Sequence, residues 1–583
     1  LAIDKYANND YQMVSDRDAA IVEDCLQLFG QLQVWRNLFA AQWEEVAELI
    51  LPTSRNTFYY GNFNWPGQKK TDRQIDATGM MALSRFAAIC DSLLTPRNMF
   101  WHGLCADDDY VMKDRATKLW FEQATKQLFK QRYAAHANFA SQNQVCYTNL
   151  GAFGNTGMFI EEYWDPDNGS RGLRYNSVPL GELFYTQNHQ GRVDGFIRWL
   201  RYDARQVKQR WPKTFPAVLN SPLEQKSQYP YDVLHWVGRR DDYDVSALDA
   251  RSLPYFSRYI SMQGRCILGE GGYRCLPIAI SRYEQTPGES YGRSPAMMVL
   301  PALKTLNAEK RTFLKQGHRA ADPVLLTADD GLVDFNLRPG AVNAGGMSPE
   351  GKPLVGILPT GQIQISEKMM AEEKSLIQDA FLVTLFQILQ ETPQMTATEV
   401  IERTNEKGIL LAPTVGRQQS EYLGPMIERE LDILMYLRML PPMPPRLKEA
   451  KGEYHVVYTS PLSRAMRAQQ AAGFMRTLET VKELVQITQD PSLLDPFDFD
   501  TAVPAIAEIQ AVPPSWMADD DQIQQKRKVR AQAQQEQRQI QAAPAQAAMM
   551  KAQAAQAKAG MGQQQPQGQP PQQGQPQQPG LQQ

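Results

Sequence analysis

Residues 288–292, Gly-Glu-Ser-Tyr-Gly, fit the G-x-S-x-G pattern. In that pattern a serine on a sharp strand-to-helix turn attacks an ester or amide carbonyl. The chemistry needs a base within hydrogen-bond reach of the hydroxyl and an acid that orients the base. Only two histidines follow Ser290, His318 and His455, and no acid announces itself as a partner of either. A helix should open straight after the serine, but Arg293, Ser294 and Pro295 intervene. Pro287 also separates the motif from the strand-like run that ends near Glu284. Five-residue patterns recur by chance, so a serine hydrolase at Ser290 stands as the alternative, and the chain is expected not to be an enzyme.

Other chemistries are weaker still. The six histidines (102, 136, 189, 235, 318, 455) are scattered, without H-E-x-x-H. Asp107–Asp109 and Asp519–Asp521 are acidic triplets of the kind that can hold Mg²⁺, but no phosphate-binding loop accompanies them, so they read as solvated turns. NLGAFGNTG, 149–157, is Gly-rich with no lysine to meet a phosphate, and reads as a loop. Cys25, Cys90, Cys105, Cys146, Cys266 and Cys275 form no C-x-x-C pair and are expected as free, reduced thiols. No metal and no cofactor are expected. Lys and Arg total 61 against 64 Asp and Glu, a net charge of -3. A tight nucleic-acid grip needs an excess of cations to neutralise phosphates, so such a protein is excluded, whereas one that lets a duplex slide past is not. The basic run Lys526–Arg530 reads as a solvated charge run. The opening LAIDKYANND is not expected to be a secretory signal, its Leu1 is taken as trimming or renumbering, and no run is apolar for the ~18–20 residues that span a bilayer.

The elements that would position these groups follow from periodicity. Apolar residues from Ile21 through Cys25, Leu28, Leu32, Trp35, Phe39, Trp43 and Val46 to Ile50 fall at helical spacing, with Ser15 as cap and Pro52 as stop. Further helices are predicted over about 72–93 and 111–148. From about 156 to 290, short runs rich in Tyr, Phe, Ile and Val predict antiparallel strands, with hairpins at NHQG (188–191) and LGEGG (268–272) and a short helix in 201–211. Ser294 and Pro295 then predict the start of a long helix reaching about Arg319, kinked at Pro301. Val299, Leu303, Leu306 and Phe313 take one side of it, and Lys304, Arg311, Lys315 and His318 the other. A Gly- and Pro-dense break, about 321–362, precedes a second helix at about 366–390. The simplest arrangement is two antiparallel rods with a turn-rich tip. Helices follow at 396–408 and 419–439, then the strand-like YHVVYTS, helices at about 461–489 and 501–511, and an Ala/Gln/Pro-rich end.

YGRSPAM, LPALKTLN and DP, followed by QMTATEV at 394–400, together with WEEVAELILPTSRNTF at 43–58, are what identify a family. In that order and spacing the chain resembles the head-to-tail connector, or portal, proteins of T7-like short-tailed bacteriophages, over about residues 20–460. The resemblance implies an α+β portal fold assembled as a dodecameric ring. It implies a wing (1–293), a first stem helix (294–320), a clip (321–365), a second stem helix (366–390), a channel loop with return wing helices (391–454) and a helical crown (455–518). The tail, 519–583, lies outside it and is expected to be largely disordered, its Ala/Gln-rich part up to about 560 reading as a solvated, frayed helix and its Gln/Pro-rich end as disordered. It further implies a structural role without catalysis at one capsid vertex, the head–tail junction of the virion, after assembly in the host cytoplasm. Double-stranded DNA would pass through in packaging and ejection, sequence-independently. The implied partners are further copies of the chain, the terminase large subunit, a tail adaptor, and the major capsid and scaffolding proteins, with no membrane. Lys304, Arg311, Lys315 and His318 are expected to face the channel or a neighbouring copy's acids, such as Glu372 and Glu373, and Arg403, Lys407 and Arg417 to be channel-loop contacts. A channel-less internal capsid or scaffold protein is the remaining alternative.

Overall fold

The computed structural model describes residues 16–384 and 413–559, apart from 56, 59–69, 72–73, 113, 242, 245–248, 328–335, 337, 344–345, 360–362, 451, 460, 490–493, 510–511, 513–515 and 519. It divides into two compact units, 1–512 and 513–583.

In the first unit the predicted N-terminal helix runs Asp16–Leu49. Its buried stripe serves two cores. Val22, Cys25 and Phe29 lie on a five-stranded sheet, where Phe29 meets Phe184 edge-on at 4.9 Å. Ala40, Trp43, Val46, Ala47 and Ile50 join the roots of the rods described below. Between the two stretches sits Arg36, buried with no carboxylate beside it. Its guanidinium donates to the carbonyls of Gly181 (2.6 Å) and Phe58 (2.7 Å) and stacks 4.0 Å from the Phe184 ring. Burial pushes its pKa down to about 10. Backbone oxygens and a π face thus carry out the compensation that a buried charge requires.

The five-stranded sheet is an antiparallel meander of β4 (Leu183–Gln187), β5 (Val193–Tyr202), β6 (Tyr231–Arg239), β7 (Tyr255–Ser261) and β8 (Cys266–Tyr273). A second sheet has the order β3-β2-β9, from β2 (Asn155–Trp164), β3 (Arg171–Val178) and β9 (Ile278–Arg282). NHQG is the β4–β5 turn as predicted. LGEGG is not a hairpin: it lies within β8, and the β7–β8 turn falls at 262–265, where Arg265 takes φ 43. The short helix Ala204–Arg210 opens on a capping box between Asp203 and Gln206.

The helix predicted for 111–148 is three pieces, Asp109–Met112, Arg115–Arg132 and Phe139–Phe153. Asn138 in the left-handed region (φ 57) re-aims the chain between the last two. The Gly-rich 149–157 is no loop. It carries the end of Phe139–Phe153, the turn at Gly154 and the start of β2. β1 (His102–Ala106) pairs antiparallel with β12 (Tyr454–Tyr458), the stretch read as strand-like from the sequence. The helices Pro461–Thr488 and Phe499–Ile509 follow. The predicted 419–439 helix is a wide-turned stretch, Gln418–Leu423, leading into Gly424–Tyr436.

In the second unit, 520–559 form one continuous helix with Lys526–Arg530 exposed. The Ala/Gln-rich stretch, read from the sequence as a solvated helix, is helical here. Ala, Gln, Lys and Arg bury little, but all are strong helix formers. Among the described residues no helix is long and apolar enough to cross a membrane.

Two buried histidines give the first unit a pH dependence. His235 lies on the Tyr259 ring, centroids 4.1 Å apart, with its Nε2 3.0 Å from Ser257 Oγ, and His102 lies beside Arg132. Burial pushes both well below the ordinary histidine range, helped by Arg132 at His102 and by Arg198 and Arg210 at His235. Below about pH 6.5 the unfolded chain binds protons on both rings and the folded chain does not, so acid favours unfolding. Stability should fall by up to about 1.4 kcal/mol per pH unit per ring. Denaturant titrations at pH 7.0 and 5.5 should show a smaller loss in His235→Gln than in wild type. Equal losses would contradict the assignment.

Candidate functional site

The rods begin at Ser294. With extended backbone it caps the short helix Pro295–Met298, its Oγ accepting from Met297 N at 3.0 Å. The same hydroxyl donates to Ala152 O at 2.8 Å, fastening the rod's root to the end of Phe139–Phe153. The helix then breaks at Val299 and restarts as the first rod, Leu300–Ala321, with Pro301 in its opening turn. The predicted kink is therefore a break two residues earlier. Proline lacks the N–H an interior position needs but fits a first turn.

Asn155 completes the root. It is buried, its amide donates to Phe153 O (2.9 Å) and Gly292 O (3.0 Å), and its Oδ1 accepts from Gly292 N (2.8 Å) and Tyr185 OH (3.0 Å). A Cβ on Gly292 would lie 2.7 Å from Gly154 O. GESYG thus carries structural roles. Gly288 turns the chain (φ 86), Glu289 and Arg293 pair, and Gly292 allows the close approach. The carbonyl of Ser290 accepts from Tyr185 OH and Gln187 Nε2, both at 3.0 Å. His455 does have an acid beside it, Asp107 at 3.7 Å, but this pair sits at the β1–β12 edge. His318 is exposed near the far end of the rod. Among the described residues no contact joins Ser290 to a histidine, and no group of three or more His, Cys, Asp or Glu is placed to hold a metal ion.

The first rod buries Leu300, Leu303 and Leu306, with Val299 and Phe313 half-buried. Gly79 gives Leu303 its seat, since a Cβ there would come within 2.7 Å of Leu303 Cδ2. Asn307 Oδ1 accepts from the backbone of Ile75 (2.8 Å) and Asp76 (3.3 Å). The second rod, Ile363–Ala380, buries Met370 and Ile377 in the same core. Its regular run breaks at Phe381–Leu382, where Leu382 adopts φ 61 and helix resumes at 383; the predicted end at 390 lies outside the described residues. β10 (Leu325–Thr327) and β11 (Val355–Ile357) pair antiparallel between the rods, so the rods run side by side in opposite directions.

Of the four predicted basic residues, Lys304 is engaged within the chain, its Nζ 2.7 Å from Glu45 Oε2. Both partners are about half exposed, so Lys304→Ala should change the unfolding free energy by less than ~1 kcal/mol, read from a denaturant titration. Arg311, Lys315 and His318 are exposed and have no partner among the described residues. Glu309 lies near Glu373 and Glu372. Burial, then the two neighbouring carboxylates, raise its pKa. Arg417 is half-buried and donates to Tyr283 O at 3.4 Å. Arg403 and Lys407 lie outside the described residues.

Two structural ion pairs escaped sequence reasoning because nothing local marks them. Arg282 is held by Glu421, Nη2 to Oε1 2.7 Å and Nε to Oε2 3.2 Å, across 139 positions. Arg132 and Glu430, both fully buried, meet across 298 positions.

A family model described as "Bacteriophage head to tail connecting protein" matches residues 22–518. The chain belongs to this family. The match takes in both rods, their root and both sheets, and stops just short of the helix 520–559. The chain is also similar to a "Probable portal protein" of Bordetella phage BPP-1, 26% identical over 516 residues, covering 86% of this chain and 90% of that one. A "Portal protein" of Salmonella phage epsilon15 is 26% identical over 518 residues, covering 87% and 90%. Connectors are structural proteins of the virion, and the geometry around Ser290 fits that role.

Proposed function

We propose that this connector assembles as a dodecameric portal ring of the T7-like, short-tailed type at one capsid vertex, and that double-stranded DNA passes through it in packaging and ejection. The observation that carries the reading is the family match across residues 22–518 onto a chain whose first rod leaves Arg311, Lys315 and His318 exposed and unpaired among the described residues. A rod with one apolar and one basic side is better suited to a head-to-tail, closing interface than to standing alone. The body around both sheets is the wing, the β10–β11 tip the clip, and the helices from Pro461 to Ile509 the crown. The clip receives the terminase large subunit and later the tail adaptor, while the wing meets the major capsid and scaffolding proteins. Channel cations are sparse in this reading, because a deeply basic lining would retain the duplex. Arg403, Lys407 and Arg417 remain the channel-loop candidates.

Native mass spectrometry and negative-stain imaging test the ring. The expected particle has a central hole and a mass near a twelvefold multiple of 66.0 kDa. A chain that stays at 66.0 kDa at every concentration overturns the reading.

A further inference from the structure

Both rods leave a regular stripe uncovered, and the two stripes are opposite in charge. On the first rod, Arg311, Leu314, Lys315 and His318 recur at i, i+3, i+4 and i+7, which places them on one face. All four are exposed, Leu314 at 43%. On the second rod, Met369, Glu372 and Leu376 recur at i, i+3 and i+7. They too are exposed, Met369 at 49% and Leu376 at 56%. One stripe is apolar flanked by cations, the other apolar around a carboxylate, with the exposed Lys368 one turn before it.

Near these acids, three side-chain oxygens have no hydrogen-bond partner among the described residues. Glu309 Oε2, Gln316 Oε1 and Glu373 Oε2 are shielded from solvent yet have no partner, and Glu309 stands near both Glu373 and Glu372. Such oxygens cost free energy, and a cation beside the accessible oxygens of the Glu309 and Glu373 carboxylates offsets the excess of negative charge. The three cations of the first rod's stripe lie elsewhere around that rod. At 100° per residue, Arg311 and His318 lie roughly 160–180° around the first rod from Glu309, and Lys315 about 120°.

We infer that the Arg311–His318 stripe of one copy docks on the Met369–Leu376 stripe of the next, with Arg311 and Lys315 donating to Glu372, Glu373 and Glu309. The occupant is a second copy of this chain, because the same chain carries both complementary surfaces. Two different faces that complement each other make a heterologous contact, the kind that closes rings. The inference rests on the ring reading and adds to it the side-chain pairing. It also assigns Arg311 and Lys315 to the subunit boundary instead of the lumen.

The full-length chain tests it through assembly. Arg311→Glu with Lys315→Glu should raise the concentration at half assembly at least about tenfold, by setting like charges against each other. Glu372→Lys should do the same from the other side. Combining all three substitutions should restore rings, and raising salt should weaken wild-type assembly. Native mass spectrometry and sedimentation read each outcome. Wild-type rings that tolerate both the cation reversal and Glu372→Lys overturn the pairing and leave the ring reading standing. So does assembly lost in both and not restored by the combination. Rings left intact by the cation reversal but weakened in duplex binding would place Arg311 and Lys315 in the lumen and also overturn it. A wild-type chain that never assembles overturns both readings.

Discussion

Glu430→Ala should lower the unfolding free energy by about 3–5 kcal/mol, the range for removing one partner of a buried ion pair. The helix Arg115–Arg132 meets Gly424–Tyr436 through this pair, with Arg132 Nε 3.0 Å from Glu430 Oε1 and neither side chain exposed. Tyr175 OH donates to the same oxygen. The guanidinium also stacks over Trp101 at 4.6 Å and Phe129 at 4.8 Å, and its Nη2 lies 2.9 Å from His102 Nε2. Burial works against the charge on Arg132, but Glu430 outweighs it, and the pKa of Arg132 ends above its ordinary value. Burial, then Glu430, push Tyr175 well above the ordinary phenol range, so it stays a donor at any working pH. Without Glu430 the guanidinium is left in an aromatic box with no anion. Replacing both partners by apolar residues, Arg132→Met with Glu430→Leu, should cost much less, because no bare charge remains. Calorimetry checks both variants. An equal loss in the two would assign the effect to shape instead of charge.

Gly154→Ala should be nearly as damaging, and for a different reason. Gly154 has φ 73, a conformation that costs an L-residue about 1–2 kcal/mol. A Cβ there would lie 2.5 Å from the carbonyl carbon of Arg293 and 2.6 Å from Gly292 O, both backbone atoms that cannot rotate aside. Overpacking of this kind adds ~1–3 kcal/mol, so the sum is about 2–5. Gly169 is the control: its φ is 63 but nothing lies within 4 Å of its absent side chain, so Gly169→Ala should show only the conformational part. Equal losses in the two variants would mean that the close approach is not what matters. The damage at Gly154 falls on the rod root, where Ser294, Ala152, Asn155 and Gly292 are bound together. The variant should therefore also assemble poorly in the same mass measurements.

What the amino-acid order determined by itself was local. The Asp16–Leu49 helix, the Ser294 cap with Pro295, the apolar stripe of the first rod and most strands follow from side-chain period and end chemistry within a few residues. Motif order also sufficed to indicate the family. A predicted helix failed where one residue's conformation decided it, as at Asn138, whose positive φ no periodicity announces. Only the tertiary structure decided which distant groups meet: Arg132 with Glu430, Arg282 with Glu421, Lys304 with Glu45, β12 with β1. It likewise gave GESYG a close backbone contact at Gly292 that no local pattern announces. It left Arg311 and Lys315 unpaired while engaging their neighbour Lys304. The physical reason is range. Helical period, caps and turns act between residues a few positions apart, whereas ion pairs and close packing depend on how hundreds of intervening residues have folded.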